Sequence, residues 1–372
     1  MLQYTEGGEG RYVFSRPHAL SPPPDMPAAD PSPLPTERVD HCPICGSEEA
    51  ERAYTGMRDR LYGAPGVWNL DRCAHCGSLW LNPRPTGEAF DAIYDAYYTQ
   101  GDPPAPAAPG VGRWVLDAVR AAALGYGGSP LQRAAGVALS AVPLLRARAT
   151  NSVMGLRADR RGRLLDLGAG DGVLMRRMDA LGWDVVGLEP DPAAVEAARD
   201  RTGLDIRPGF IEDDAFPPGS FDAVTMLHVI EHVPDPVQTL RSCFRVLAPG
   251  GVLAVVTPNV ESLGHERYGE HWRGLETPRH LVLFNAASLR LAAEAVGFEV
   301  EEATTRAGGS ARFIYAASES VRRGDEMENG APRSPSLPLK ARALGFSLWE
   351  NVARKARPVG EELFLLARKP ER

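Results

Sequence analysis

The sequence predicts an α/β fold, a layered sheet with helices on both faces, preceded by a small cysteine-bearing module. Three observations carry this. From about residue 156 onward, short apolar runs alternate with amphipathic helical patterns. A glycine-rich turn, "DLGAGDG", follows the first of these runs. Two CxxC pairs lie ahead of it.

The 372 residues, 44% of them hydrophobic, suffice for one full α/β core with a second small module and linkers. A formal charge of −7 and a pI near 5.7 argue against a surface that tracks nucleic-acid phosphates. A small or neutral substrate is expected. No apolar run reaches the roughly 18 residues of a membrane span, and the N-terminus lacks a charged-then-apolar leader, so the expected location is cytoplasmic.

Residues 1–37 are proline-dense and without apolar period, which predicts disorder or extended chain. Residues 38–100 hold "CPICG" (Cys42, Cys45) and "CAHCG" (Cys73, Cys76). Each turn can aim two thiolates inward, its glycine lets backbone amides approach the sulfurs, and two such turns complete a tetrahedron around a structural zinc ion. Disulfides or a redox pair are the competing reading, but nothing suggests secretion and no βαβ unit surrounds either motif. Cys243, in an apolar helical stretch, reads as a core thiol. Phe90, Ile93, Tyr94 and Tyr97 fall at helical spacing before the break "GDPPAPAAPG". Residues 101–155 read as a linker and an Ala-rich helical cap.

The segment 156–372 starts its sheet with "RLLDLGAGDGVLMRRM", a strand, a turn and a helix. Gly168, Gly170 and Gly172 allow the backbone to approach a ligand at the carboxyl end of that strand. A dehydrogenase fingerprint would place its last glycine at Val173, one residue later. Asp166, just before the turn, would repel a pyrophosphate and welcome an amino group. "DVVGLEP" ends a second strand in Glu189, where a carboxylate can accept hydrogen bonds from both ribose hydroxyls. A third strand leads to Phe210 and Ile211, apolar surfaces that could sandwich an adenine. "SFDAVTMLHVIEHV" is a fourth strand running into what the spacing of His228, Glu231 and His232 suggests is one turn of helix; "VLAPGGVLAVVTPN" carries the fifth.

Taken in order, strand, acid, GxGxG, a second acid about twenty residues on, then "SFDAV", "IEHV" and "LAPGG", the chain resembles the class I S-adenosylmethionine-dependent methyltransferases over residues 150 to 310 plus the terminal strand "EELFLLARKP". The resemblance implies a Rossmann-like seven-stranded sheet with an antiparallel last hairpin and S-adenosyl-L-methionine as cofactor. It implies that Asp166 with Gly168, Ala169, Gly170 and Gly172 holds the methionine portion, Glu189 the ribose, and Phe210, Ile211 and Leu227 the adenine side. The family often carries Asp where this chain has Phe210.

By the same resemblance His228, Glu231 and His232 sit where sulfonium and acceptor meet, and His280 in "TPRHLVLF" returns to that site. Methyl transfer is an in-line displacement that needs a nucleophile held against the methyl in a dry pocket. Ionising a phenol-like acceptor at pH 7 costs about 4 kcal/mol, which a positioned base or a metal could offset. "IEHV" looks like the ExxEH stretch of ubiquinone-biosynthesis O-methyltransferases and small-RNA 2′-O-methyltransferases, where it supplies ligands to a divalent ion. Here His228 replaces the first acid, a nitrogen-rich set that suits zinc or manganese better than magnesium. Acid/base work, a second divalent metal and structural hydrogen bonding all remain open at this stage.

"HERYGEHWRGLETPRHLVLF" reads as a loop over the strand ends, with Trp272, Arg273 and Arg279 either gripping an acceptor or forming its rim. An insertion at about 311–357 precedes the last strand, its "RGDEMENGAPRSPSLPL" linker-like and its "KARALGFSLWENVARKAR" a basic amphipathic helix. That helix could shape the acceptor pocket, pair two copies into a homodimer, or lie on an anionic surface. The expected function is O-methylation of a small-molecule, glycan or secondary-metabolite hydroxyl. The rival is a nucleic-acid methyltransferase that grips RNA with its zinc module, but residues 37 to 80 carry about as many acids as bases. A zinc-centred scaffold with a degenerate cofactor site is disfavoured by the intact Asp166, glycines and Glu189.

Overall fold

The computed structural model describes residues 34–87, 89, 93, 110–213, 215–306, 310–328 and 330–371. The proline-dense N-terminus up to residue 33, the break at 101–109 and Phe90, Tyr94 and Tyr97 of the aromatic stripe lie outside them; Ile93 is fully buried.

After a two-residue strand, Thr36–Glu37, that pairs with Arg84–Pro85, the N-terminal region holds β1 (Ala50–Met57), β2 (Trp68–Cys73) and β3 (Leu79–Leu81). Helices α1 (Val111–Leu124), α2 (Pro130–Leu139) and α3 (Pro143–Asn151) follow. The alternating region then gives β4 (Arg163–Leu167), α4 (Val173–Ala180), β5 (Asp184–Glu189), α5 (Pro192–Thr202), β6 (Asp205–Pro208), β7 (Phe221–Leu227), α6 (Pro236–Val246) and β8 (Leu247–Pro258). Beyond these come α7 (Leu263–Tyr268), β9 (Val282–Leu283), α8 (Ala286–Val296), β10 (Glu299–Thr305), α9 (Ser310–Arg323), α10 (Leu337–Ala353) and β11 (Glu362–Arg368).

The main sheet has seven strands in the order β10-β11-β8-β7-β4-β5-β6. β11 runs antiparallel to both neighbours, and β8, β7, β4, β5 and β6 are mutually parallel. Parallel strands covered on both faces must be apolar along their length. Leu164 and Leu165 of β4, Ala223 and Val224 of β7 and Leu253 to Val255 of β8 are accordingly buried to 0% exposure. Each such Leu or Val contributes roughly 1.5–3 kcal/mol relative to leaving it in water.

The cysteine module is not a separate bead. Its sheet runs β9-β3-β2-β1, so a strand that lies in sequence between β8 and β10 of the larger sheet completes it, with Val282 opposite Trp80 and Leu283 opposite Leu79. A two-residue strand has too few hydrogen bonds to hold by itself. Its position comes from the packing of Leu79, Trp80, Leu81, Leu281, Val282 and Leu283, all nearly or fully buried in one cluster with the main core.

Three local expectations differ from what is seen. "HVIEHV" is a single turn, closed by the His232 N–H donating to the Val229 carbonyl at 2.9 Å, and not the start of a helix. Pro234 and Pro236 restrict the residues before them, and α6 begins only at Pro236, capped by the Asp235 carboxylate accepting from the Gln238 N–H. The segment 265–284 is not a bare loop: it contains most of α7, two 3₁₀ turns, Gly269–His271 and Arg273–Leu275, and β9. The "linker-like" insertion likewise pairs Met327–Glu328 with Ala331–Pro332.

Candidate active site

The carboxyl ends of β4, β5 and β7 lie side by side, the place where parallel α/β sheets bind ligands. Gly168, Gly170 and Gly172 all have positive φ. At Gly168 (φ +64°) a Cβ would come within 2.5 Å of Val229, so the glycine turn and the histidine turn are in direct contact. Gly168 and Ala169 donate their N–H groups to the Leu188 carbonyl, and Gly170 donates to the Glu189 carboxylate at 3.0 Å. Glu189 is buried at the mouth of that turn, with burial raising its pKa. Asp166 is 1% exposed and accepts from the Thr225 hydroxyl at 2.7 Å on β7. Burial, opposed by that hydrogen bond and reinforced by the charge of Glu189, pushes its pKa up to about 7. Ile211 is buried, whereas Phe210 is 55% exposed just past the end of β6; Leu227 is half-buried at the end of β7. The sheet thus brings Asp166, the glycines, Glu189 and Leu227 to one edge, with Phe210 and Ile211 at its rim.

β7 hands directly to His228, which has φ +54°, a left-handed conformation uncommon for a residue with a side chain. Its N–H donates to the Val256 carbonyl at 2.9 Å. Its Nδ1 lies 3.2 Å from Glu231 and its Nε2 3.0 Å from Glu362. Burial alone would lower the pKa of this imidazole, but the two carboxylates push it up to about 10, so His228 acts as a donor to both. Glu231 is 0% exposed and its other oxygen accepts from the Thr257 hydroxyl at 2.9 Å.

His232 and His280 meet edge to face, ring centroids 4.7 Å apart. Nδ1 of His232 donates to the Arg279 carbonyl at 3.1 Å, and Nδ1 of His280 to the Gly274 carbonyl at 2.7 Å. These bonds fix both tautomers and turn both Nε2 atoms the other way. Burial first, then mutual repulsion, lowers His232 to about 3; burial lowers His280 to about 4. Both are neutral imidazoles. Together with Glu231 they place three ligand atoms within 4.8 Å of one another. Neutral imidazoles anchored through Nδ1 and a carboxylate held by a hydroxyl are the donor set and outer shell that a divalent transition metal requires.

His228, His232 and His280 line a recess whose other walls include Trp272, Arg273, Glu276, Ile314, Glu361 and Glu362. Trp272, Arg273 and Arg279 are not rim residues: each is 2% exposed or less. Arg273 pairs with Glu276, Arg279 bonds Glu276 at 3.4 Å and Asp59 at 2.9 Å, and its guanidinium lies 4.3 Å over the Tyr62 ring. Burial works against ionisation of Glu276, but Arg273, His280 and Arg279 hold it well below the usual carboxylate range. Asp59 also accepts from the Leu61, Tyr62 and Ala64 N–H groups, so the cysteine module's own loop is wound around the anchor. The two arginines are thus held by buried ion pairs, Arg273 in the wall of the recess and Arg279 behind it.

Glu361 and Glu362 carried no mark in the sequence beyond two acids before an apolar strand. Glu361 is 2% exposed and accepts from Trp272 Nε1 at 2.8 Å, the Gly264 N–H at 2.7 Å and the Ser262 hydroxyl at 3.2 Å. Burial, with Glu350 adding to it, pushes its pKa up to about 8.

The four cysteines are reduced and converge: Cys42 Sγ is 3.6 Å from Cys76 Sγ, and Cys45 Sγ is 3.5 Å from Cys73 Sγ. Sulfurs on a tetrahedral zinc stand about 3.8 Å apart, given Zn–S bonds of about 2.3 Å. The set fits a metal, and Ser78 adds its hydroxyl 3.3 Å from Cys42 and 3.1 Å from Cys76. Cys243 is fully buried, and burial raises its thiol above the ordinary value.

The family described as "Methyltransferase domain" matches residues 143–303. A ubiquinone biosynthesis O-methyltransferase of Xanthomonas campestris pv. campestris is 42% identical over 103 residues, 26% of this chain and 43% of that one. A protein of Mycolicibacterium smegmatis described as a probable S-adenosylmethionine-dependent methyltransferase is 37% identical over 143 residues, 37% of this chain and 52% of that one. The chain thus spans about half or less of the length of these curated relatives. Among solved structures, an S-adenosylmethionine-dependent methyltransferase of Mesorhizobium loti is similar to 60% of this chain and 97% of its own, at 17% identity and a TM-score of 0.41. No described helix is long and apolar enough to cross a membrane.

Proposed function

Because this chain carries a class I S-adenosylmethionine-dependent methyltransferase domain, we propose that it transfers a methyl group to a hydroxyl of a small molecule, a glycan or a secondary metabolite bound in the recess beside His228, His232 and His280. The observation that carries the reading is the junction at the end of β7. The same turn that follows Leu227 on the cofactor edge supplies His228 and His232 to the recess, and Glu231 to the hydrogen bond that holds His228.

S-adenosylmethionine, when bound, supplies an electrophilic methyl and a neutral leaving group. The chain's residues do the rest. The carboxylate of Asp166 receives the positive end of the methionine portion, the positive-φ glycines let the backbone come close, and Glu189 takes the ribose hydroxyls. Phe210 and Ile211 flank the adenine. The buried walls of the recess exclude water, which keeps the nucleophile unsolvated and aligned.

Glu231, His232 and His280 are the residues that would hold a second divalent metal. Such an ion would supply Lewis-acid help in ionising the acceptor hydroxyl. His228 restrains the Glu231 carboxylate from the far side, and Thr257 does so from β8. A zinc ion on Cys42, Cys45, Cys73 and Cys76 would be structural, its four thiolates leaving no open position. The cysteine module pairs with β9 and holds Arg279 through Asp59, so it packs on the segment that carries His280, which supports a structural role for it over a projecting RNA clamp.

The test is incubation of the full chain with methyl-labelled S-adenosylmethionine and a panel of hydroxylated metabolites, with total RNA as a separate arm, each with and without chelator. Label in a small hydroxylated product, lost with His280→Ala, supports the reading. Label only in RNA, or turnover unaltered in alanine variants of 228, 232 and 280, overturns it.

A further inference from the structure

Helix α10 is apolar on two opposite faces. One face, with Leu339, Ala343, Phe346, Ser347 and Glu350, packs inward against α9, where the Phe346 and Tyr315 rings lie 5.0 Å apart. The other carries Leu337, Leu344, Leu348 and Val352, exposed by 80, 45, 61 and 66%, at the i, i+7, i+11, i+15 spacing of a single stripe, with Trp349 beside it at 53%. An ordinary surface helix presents polar residues there. So many large apolar side chains on one stripe of one helix call for a cover.

The charges beside the stripe say what the cover is. Lys340 and Arg342 are exposed and fall on opposite sides of it, and Lys355 follows on the next turn. From residue 337 to 357 there are five basic residues and one acid, Glu350, which is 2% exposed on the inner face. A second copy of this chain would bring like charges together along the seam with no exposed acid on the helix to meet them. An apolar layer beneath a negatively charged plane matches stripe and borders at once, and an indole suits the boundary between the two.

We propose that α10 lies in the plane of an anionic lipid surface, its Leu337-Leu344-Leu348-Val352 stripe in the acyl boundary and Lys340, Arg342 and Lys355 against the headgroups. The inner face of the helix holds the recess: the Glu350 carboxylate accepts the Glu361 N–H at 2.9 Å, and Glu361 lines the recess. The lipid-facing element is therefore one hydrogen bond removed from the acceptor's wall.

The test is sedimentation of the full chain with vesicles of equal parts phosphatidylglycerol and phosphatidylcholine, and with pure phosphatidylcholine vesicles, without methyl donor or acceptor. The expected result is binding to the anionic vesicles that weakens with salt and falls at least about tenfold in a Lys340→Gln/Arg342→Gln variant. Leu348→Asp/Val352→Asp should abolish it, with circular dichroism and cofactor binding unchanged. Equal sedimentation of wild type and both variants would overturn the proposal. So would absence of vesicle binding, including the case in which light scattering shows a dimer that Leu348→Asp/Val352→Asp dissociates. These readouts do not involve methyl transfer, so either result leaves the assigned reaction untouched.

Discussion

Arg279 Nη2 and Asp59 Oδ2 meet at 2.9 Å with neither side chain exposed, across 220 residues of sequence. This pair ties the cysteine module to the segment that delivers His280, and the Arg279 carbonyl also receives the Nδ1 proton of His232. Removing one partner of a buried ion pair leaves an uncompensated charge, at a cost of about 3–5 kcal/mol.

Asp59→Ala should therefore lower stability by about that amount in urea denaturation. Asp59→Asn, whose one amide oxygen can keep the Leu61 and Tyr62 N–H donors but not the Ala64 one, should lose less. In both variants kcat should fall further than cofactor affinity, because the disturbed backbone carries the histidines and not the glycine turn. Equal losses in kcat and cofactor affinity would point to general unfolding.

Metal removal from the cysteine cluster should act on the recess. Cys42→Ser is expected to reduce bound zinc, measured by elemental analysis, and to lower the melting temperature. Turnover should fall with it, since β3 pairs with the strand that follows His280. Unchanged turnover in zinc-depleted, folded protein would separate the module from the reaction.

His232→Ala and His280→Ala should each reduce kcat by on the order of a hundredfold or more, with calorimetric affinity for S-adenosylmethionine nearly unchanged. Thr257→Val, which removes only the hydroxyl that holds Glu231, should cost roughly 10–100-fold in metal affinity or activity. A loss in Thr257→Val equal to that in His280→Ala would place the carboxylate's orientation above the ligand set.

Cofactor affinity should depend on pH through Asp166. Burial raises this carboxyl to about 7, above its unfolded value, so it is partly protonated below that pH and its ionisation costs stability as pH rises towards it. A cationic ligand favours the ionised form, so binding releases a proton at low pH. Affinity should rise between pH 5.5 and 7 by at most about tenfold per unit and then level off. Asp166→Asn should bind more weakly and remove the slope. A slope that persists in Asp166→Asn would assign it to another group.

Much of this was legible in one dimension. Strand, acid and glycine turn succeed each other within a few residues, so Asp166, Gly168, Gly170 and Glu189 announce their edge locally. The paired cysteines do the same for their cluster. The rest depends on contacts that the sequence scatters. Glu362 reaches His228 across 134 residues, and Glu361 reaches Trp272 across 89, so two acids before a final strand carry no local sign of their place in the recess. Arg273 and Arg279 look like rim residues because polar, glycine-rich stretches are usually exposed; the partner that buries Arg279 lies in the cysteine module. The histidine spacing fits one helical turn, but the prolines at 234 and 236 delay the helix and leave a turn. The low-lying clue to α10 was its excess of basic residues, while its double apolar face emerged only once α9 covered one side.

Calorimetric titration of the full chain with S-adenosylmethionine tests the assigned chemistry most directly. One molecule should bind per chain, and Glu189→Ala, which deletes the acceptor for the ribose hydroxyls, should weaken binding by roughly 10–100-fold while the fold persists. No heat from well-folded wild-type protein, or equal affinity in wild type and Glu189→Ala, would contradict it.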